Sequence, residues 1–295
     1  MGLHLLLEEA SDLEPELLVR VREIHSPAIL GGDSRYFVGE DRSWSHCVPN
    51  LPADAASKLP AVRVVIPAAG LGTRFAALSL GMPKELLPLG GTPLIGHALA
   101  EAARAGFEAA VVVVSPAKHQ VRQFLADNEL PLSVEVVIQP EPLGIGDAVL
   151  RCWQGEPIAV LLPDDVVFNT EHWTTLTKLH RVDGAATLCV RPVPFETASR
   201  FGIAECDGDR VIGLVEKPPV GTSPSNLAIF GRYVVTEPVV AGLRSSRVAG
   251  ELQLTYGFAV AIKEEPGVRA VRFGGDIYDC GTPADYAESA VRFPG

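Results

Sequence analysis

Residues 62–88 read VRVVIPAAGLGTRFAALSLGMPKELLP. The stretch opens on a run of β-branched residues, Val62 to Ile66, of the kind that forms a strand buried on both faces of a parallel sheet. Gly70 and Gly72 follow at once. Glycines there let the backbone approach a ligand closely and turn its N–H groups toward an anion, and Arg74 and Lys84 add positive charge nearby. The spacing therefore predicts a phosphate-handling loop. Two other loops are excluded: a dinucleotide fingerprint needs a third glycine where Phe75 stands, and a Walker loop needs Gly-Lys-Ser/Thr, which does not occur. A plain tight turn is the alternative, and the paired Arg and Lys argue against it.

Outward from this loop the pattern repeats as strand, loop, helix. Apolar runs predict further strands at Ala109 to Val114, Val134 to Ile138, Ile158 to Leu162 and Ala185 to Val190. Helices are predicted over Thr92 to Ala105, Pro116 to Ala126 and Gly146 to Trp153. Such alternation predicts an α/β fold of Rossmann-like type, a mostly parallel mixed sheet flanked by helices, with ligands at the carboxyl ends of the strands. Three loops, 68–74, 139–146 and 163–165, are expected on one rim. Beyond Val190 the texture becomes β-rich: a hairpin over Phe201 to Asp207 and Arg210 to Glu216, then a strand over Asn226 to Val235. Helices are expected at Val239 to Leu243 and Leu252 to Ile262, a last strand at Val268 to Phe273 and a terminal helix at Pro283 to Val291.

Four groups of residues on this frame carry chemistry. Asp164 ends a buried strand, where an ionised carboxylate needs a partner. Beside a triphosphate it suits Mg²⁺; the other reading is a helix N-cap, a role also expected of Asp165. Gln139, which opens QPEPLG, offers a donor and an acceptor that match a pyrimidine edge, and Gly144 lets a base lie against backbone; on these residues alone a surface loop is an equal reading. Glu216 and Lys217 form either an exposed ion pair, worth roughly 0 to 1 kcal/mol, or a binding pair. Asp279, in YDCGT, is a second carboxylate whose place cannot be derived from spacing, and a turn or cap is open for it too.

AAGLGTR with MPKELLPL resembles the signature of the sugar-phosphate nucleotidyltransferases, and PKELLPL, SNLAIFGRYV and GELQLT are most similar to the bacterial UTP–glucose-1-phosphate uridylyltransferases. The resemblance implies that Ala69, Gly70, Gly72 and Thr73 hold the nucleotide and that Gln139 and Gly144 read its base. It also implies that Asp164 and Asp279 hold Mg²⁺, and that Gly202, Glu216 and Lys217 bind the sugar phosphate. Arg74, Lys84 and Lys217 are then the catalytic cations. The expected reaction joins an NTP, UTP foremost, to a sugar 1-phosphate, glucose 1-phosphate foremost, releasing pyrophosphate, in a homo-oligomer (dimer or tetramer). Two positions depart from the family pattern: Asp147 where such enzymes usually carry His, and Tyr256 where GEIQLTD has Asp. They leave open another nucleotide or a specialised sugar or cyclitol phosphate. A regulatory NDP-sugar-binding protein without turnover is disfavoured by the complete set Gly70, Arg74, Lys84, Asp164 and Lys217.

Composition sets the outer bounds. The 295 residues, 47% hydrophobic, suffice for a substantial core, and no segment nears the roughly 18 consecutive apolar residues of a membrane helix. The opening MGLHLLLEEASDLEPE lacks a basic flank and meets acids early, so a cytoplasmic location is expected. A net charge of −11 argues against nucleic acid or an anionic membrane as partner. The cysteines, Cys47, Cys152, Cys189, Cys206 and Cys280, show no C-x-x-C pairing, so reduced thiols are expected. Residues 61–295 are read as one nucleotidyltransferase domain. Residues 1–60 form an extension of unassigned role, with an amphipathic helix around Leu13 to Val21 and a Gly/Pro-rich tail, to which the resemblance does not reach.

Overall fold

The computed structural model describes residues 63–75, 79, 81–246 and 250–294. The extension, its expected helix and Val62 and Cys47 lie outside the described residues.

The first strand, β1 (Val64–Pro67), is followed by 3₁₀ turns at Thr73–Phe75 and Lys84–Leu86. A two-residue ribbon, β2 (Pro88–Leu89) with β3 (Thr92–Pro93), takes the first residues expected in a helix, and α1 spans Leu94–Arg104. Then come β4 (Ala109–Val114), α2 (His119–Asp127), β5 (Ser133–Ile138), α3 (Ile145–Cys152), β6 (Ile158–Leu161), β7 (Asp165–Val166) and α4 (Glu171–Asp183). The second half runs β8 (Ala186–Pro192), β9 (Gly202–Asp207), β10 (Arg210–Glu216), β11 (Leu227–Val235), α5 (Glu237–Ser245), α6 (Leu254–Ala261), β12 (Val268–Arg272), β13 (Tyr278–Asp279) and α7 (Pro283–Arg292).

Strands β5, β4, β1 and β6 lie side by side and all pair in parallel, which brings their carboxyl ends, and the loops 68–74, 139–146 and 163–165, to one rim. Beyond β6 the directions mix. Strand β11 is antiparallel to β6, β8 and β9, and because β9 closes back on β11 the strands β11, β8, β12, β10 and β9 form a ring. The sheet is therefore mixed and not mostly parallel as expected. Parallel neighbours need a helical crossover, whereas β9 and β10 are joined by a tight turn with Gly208 at φ +62°, which permits only antiparallel pairing.

Alternation along β1 divides the core. Val64 and Ile66 face a layer with Leu99 of α1, Phe124 of α2 and Trp173 of α4, while Val65 faces Val149 of α3, Val239 of α5 and Phe258 of α6. A third cluster joins Phe75, directly after Arg74, to Leu87, Tyr278 and Tyr286, so α7 braces the phosphate loop from behind. Cys152, Cys189, Cys206 and Cys280 are unpaired thiols. Among the described residues no helix is long and apolar enough to cross a membrane.

Candidate active site

The loop after β1 begins with backbone still tied to the sheet, the Ala68 N–H donating to Val113 O at 2.7 Å. Ala69 is buried, whereas Gly70, Thr73 and Arg74 are exposed. Gly72 takes φ +64°, a conformation that favours glycine. Underneath, buried Lys118 donates to Ala68 O at 2.9 Å and to both oxygens of Glu85 at 2.7 Å. One ammonium thus fastens the phosphate loop to the turn that carries Lys84. Sequence reading did not single out Lys118, which stands 33 and 50 positions from its partners.

Lys84 reaches across the rim to Asp164, Nζ to Oδ2 at 2.8 Å. Burial pulls the ammonium down, but Asp164 and Glu85 outweigh it and its pKa is pushed up to about 12. Burial likewise opposes ionisation of Asp164, and Lys84 overrides that, holding the carboxyl below its usual range. Asp164 caps no helix: α4 begins six residues beyond Asp165, and its first turn is held by Asn169, whose Oδ1 accepts from the Glu171 N–H at 2.7 Å. The capping role expected of Asp165 fails for the same reason. Asp165 lies instead in β7, opposite Asp279 of β13. The Cys280 N–H donates to Asp164 O at 2.7 Å, so this short ribbon carries Asp279 to the rim despite its distance in sequence.

Asp279 also makes the turn that was open for it, its Oδ1 accepting from the Gly281 N–H at 2.9 Å, while Thr282 caps α7. Its Oδ2 lies 3.6 Å from Arg191. Three carboxylates are thereby crowded. Burial, then the charges of Asp279 and Asp164, push Asp165 up to about 7, and burial raises Asp279 as well. Among the described residues no group of three or more potential ligands forms a ready-made metal cage. Two hard oxygen donors in a carboxylate-rich corner are nevertheless what Mg²⁺ takes when phosphates and water complete its shell, so the donor set fits the ion.

A buried network holds this corner from below. The Arg232 guanidinium donates to Glu101 at 2.6 Å through Nε, to Leu162 O at 3.0 Å and to Asp165 O at 2.6 Å. Glu101 also accepts from Trp173 Nε1 at 2.9 Å. Burial disfavours the Glu101 charge, but Arg232 prevails and its pKa falls to about 2.

On the neighbouring loop Gln139 is 3% exposed. Its Nε2 donates to Gly144 O at 3.0 Å and to Asp147 Oδ2 at 2.8 Å, so the protein already uses both amide hydrogens. Gly144 sits at φ +91°, where a Cβ would lie 2.7 Å from Leu252 O. Glycine is thus required there by backbone packing, a reason that the sequence does not display. The same segment is laced to the loop by Leu252 N–H to Leu143 O at 2.7 Å and Gly146 N–H to Leu252 O at 2.8 Å.

Across the hairpin Gly202 and Glu216 are direct strand partners. A Cβ on Gly202 would meet Glu216 Oε2 at 3.1 Å and Thr255 at 3.2 Å. Thr255, also missed in the sequence, donates to Glu216 Oε2 at 2.9 Å. Lys217 stands at φ +45°, the only left-handed non-glycine among the described residues, its N–H held by Phe201 O at 3.1 Å. Its ammonium is 3.9 Å from Glu216 and half exposed, so the pair contributes little to stability. Residues held in this region of backbone space cluster at functional sites.

Residues 63–293 match the family model described as nucleotidyl transferase. The chain belongs to that family. It is 35% identical over 264 residues to the UTP–glucose-1-phosphate uridylyltransferase of Bacillus subtilis (strain 168), covering 78% of this chain and 90% of that protein. The enzyme of the same name from Staphylococcus haemolyticus is 34% identical over 264 residues, with 78% and 91% covered. Among solved structures, UTP-bound UGPase from Acinetobacter baumannii superposes with a TM-score of 0.67 at 31% identity, covering 79% of this chain and 93% of that one. A UDP-glucose pyrophosphorylase complexed with UDP-glucose gives 0.69 at 27% identity, with 79% and 98% covered.

Proposed function

We propose that this nucleotidyltransferase joins UTP to glucose 1-phosphate, giving UDP-glucose and pyrophosphate, in the cytoplasm, and that residues 61–295 form its catalytic domain with 1–60 as an extension. The observation that carries the reading is the Lys84–Asp164 pair at 2.8 Å beside the ribbon that bears Asp279. It sets a phosphate-loop cation against the carboxylates suited to Mg²⁺. The named activities of the relatives supply the base and the sugar.

The acceptor phosphate is mostly dianionic at neutral pH, its second pKa being about 6, so no general base is required. Positioning and charge neutralisation supply the rate. In this reading Ala69, Gly70, Gly72 and Thr73 cradle the triphosphate, Arg74 neutralises the departing pyrophosphate and Lys84 steadies the α-phosphate. Gln139 and Gly144 read the base. Lys217 holds the attacking phosphate, with Gly202 and Glu216, the latter oriented by Thr255, on the sugar hydroxyls. Asp164 and Asp279 would hold Mg²⁺, which would offset charge on the phosphate oxygens. Lys84, paired with Asp164 at 2.8 Å, is placed to give that partner up for a phosphate oxygen.

The test is pyrophosphate release with Mg²⁺ and glucose 1-phosphate, offered UTP, dTTP, ATP, GTP and CTP in parallel. Preference for UTP is expected. Equal rates with all five would refute the assignment of the base, and in a second series with UTP, release with other sugar 1-phosphates but not with glucose 1-phosphate would refute the assignment of the sugar.

A further inference from the structure

Asp147, a departure from the family pattern, is in contact with Gln139. Its Oδ2 accepts from Gln139 Nε2 at 2.8 Å and from Arg151 Nε at 2.6 Å, and Arg151 also reaches Oδ1 at 3.4 Å. An ionised carboxylate only accepts, and so does the second partner of the amide, Gly144 O at 3.0 Å. Turning the carboxamide round would set its oxygen against both. The orientation is therefore locked, and Oε1, on a side chain 3% exposed, meets no donor among the described residues. Oε1 is not among the closed-off, unpartnered polar atoms of the described residues, so it stays open to a donor from solvent or from a ligand.

We infer that Asp147 is a positioning residue for base selection: by holding the amide hydrogens of Gln139 it leaves only the carboxamide oxygen for the base, and so selects an imide. This rests on the reading of Gln139 as the base reader. Uracil and thymine present N3–H to that oxygen and make a hydrogen bond. Cytosine presents the N3 lone pair, so two acceptors face each other and both lose water without compensation. Sites built on one buried hydrogen bond discriminate strongly against analogues that cannot make it. A histidine at this position can donate as well as accept, and would leave Gly144 O alone to hold the amide.

The experiment compares kcat/KM for UTP, CTP and N3-methyl-UTP in the wild type, in Asp147→Asn and in Asp147→Ala. The wild type should reject both CTP and N3-methyl-UTP. In each variant the UTP-to-CTP ratio should fall at least ~10-fold, with CTP turnover rising in absolute terms, which mere damage to the fold cannot produce. Rejection of N3-methyl-UTP by the wild type with an unchanged ratio in the variants would overturn the role of Asp147 alone. Wild-type turnover of N3-methyl-UTP as fast as of UTP would overturn the reading of Gln139, and this inference with it.

Discussion

Glu101 and Arg232 carry opposite charges in a region closed to water, with relative exposures of 1% and 0%. Their worth can be read as a function of pH. The folded pKa of Glu101, about 2, lies below its ordinary value of 4.5. A depressed acid stabilises the fold fully above the ordinary value and loses that contribution as pH falls toward the folded one, here between about 4.5 and 2. The amount is on the order of 3 kcal/mol. Glu101→Gln should flatten this acid limb in urea unfolding and, by leaving the Arg232 guanidinium unpaired, cost about 3–5 kcal/mol at pH 7. An acid limb as steep in the variant as in the wild type would show that other carboxylates govern it. Neither Glu101 nor Arg232 was legible as a supporting residue in the sequence. Sequence separations of 131 for this pair and of 39 for Thr255 and Glu216 hide every such contact. Gly70, Lys84, Asp164 and Glu216 were legible because each sits in a local pattern of glycine, charge and strand end.

At the scale of elements, the central strands could be read because continuous β-branched runs have few other homes than a doubly covered sheet. The ribbon of β7 and β13 could not, since two-residue strands leave no periodicity and their pairing is long-range. The link between the loop 139–146 and Leu252 was hidden for the same reason. It gives the two glycines of the site different roles. At Gly144 a Cβ would strike Leu252 backbone at 2.7 Å in a left-handed conformation, whereas at Gly70 nothing lies within 4 Å. Gly144→Ala should cost roughly 2–3 kcal/mol of stability. Gly70→Ala should leave stability within about 0.5 kcal/mol and raise KM for the nucleotide instead. Thermal melts with nucleotide titrations separate the two; equal melting temperatures would contradict the packing account of Gly144.

The whole molecule is a mixed sheet in which one half is parallel and carries the rim and the other half is a ring of β11, β8, β12, β10 and β9. The sequence predicted the first half closely. It overstated parallel pairing because the antiparallel contacts of β11 with both β6 and β9 are long-range and leave no local pattern. The return of the chain at β13 sets Asp279 beside Asp164, 115 positions further along the sequence. That convergence is tested most directly by the Mg²⁺ dependence of pyrophosphate release in Asp279→Asn. Crowding of three carboxylates is relieved in this variant, so it should melt no lower than the wild type. It should need far more Mg²⁺ for half-maximal rate and lose on the order of 10²-fold in kcat. A wild-type rate with an unshifted Mg²⁺ requirement would contradict a site built from Asp164 and Asp279 together.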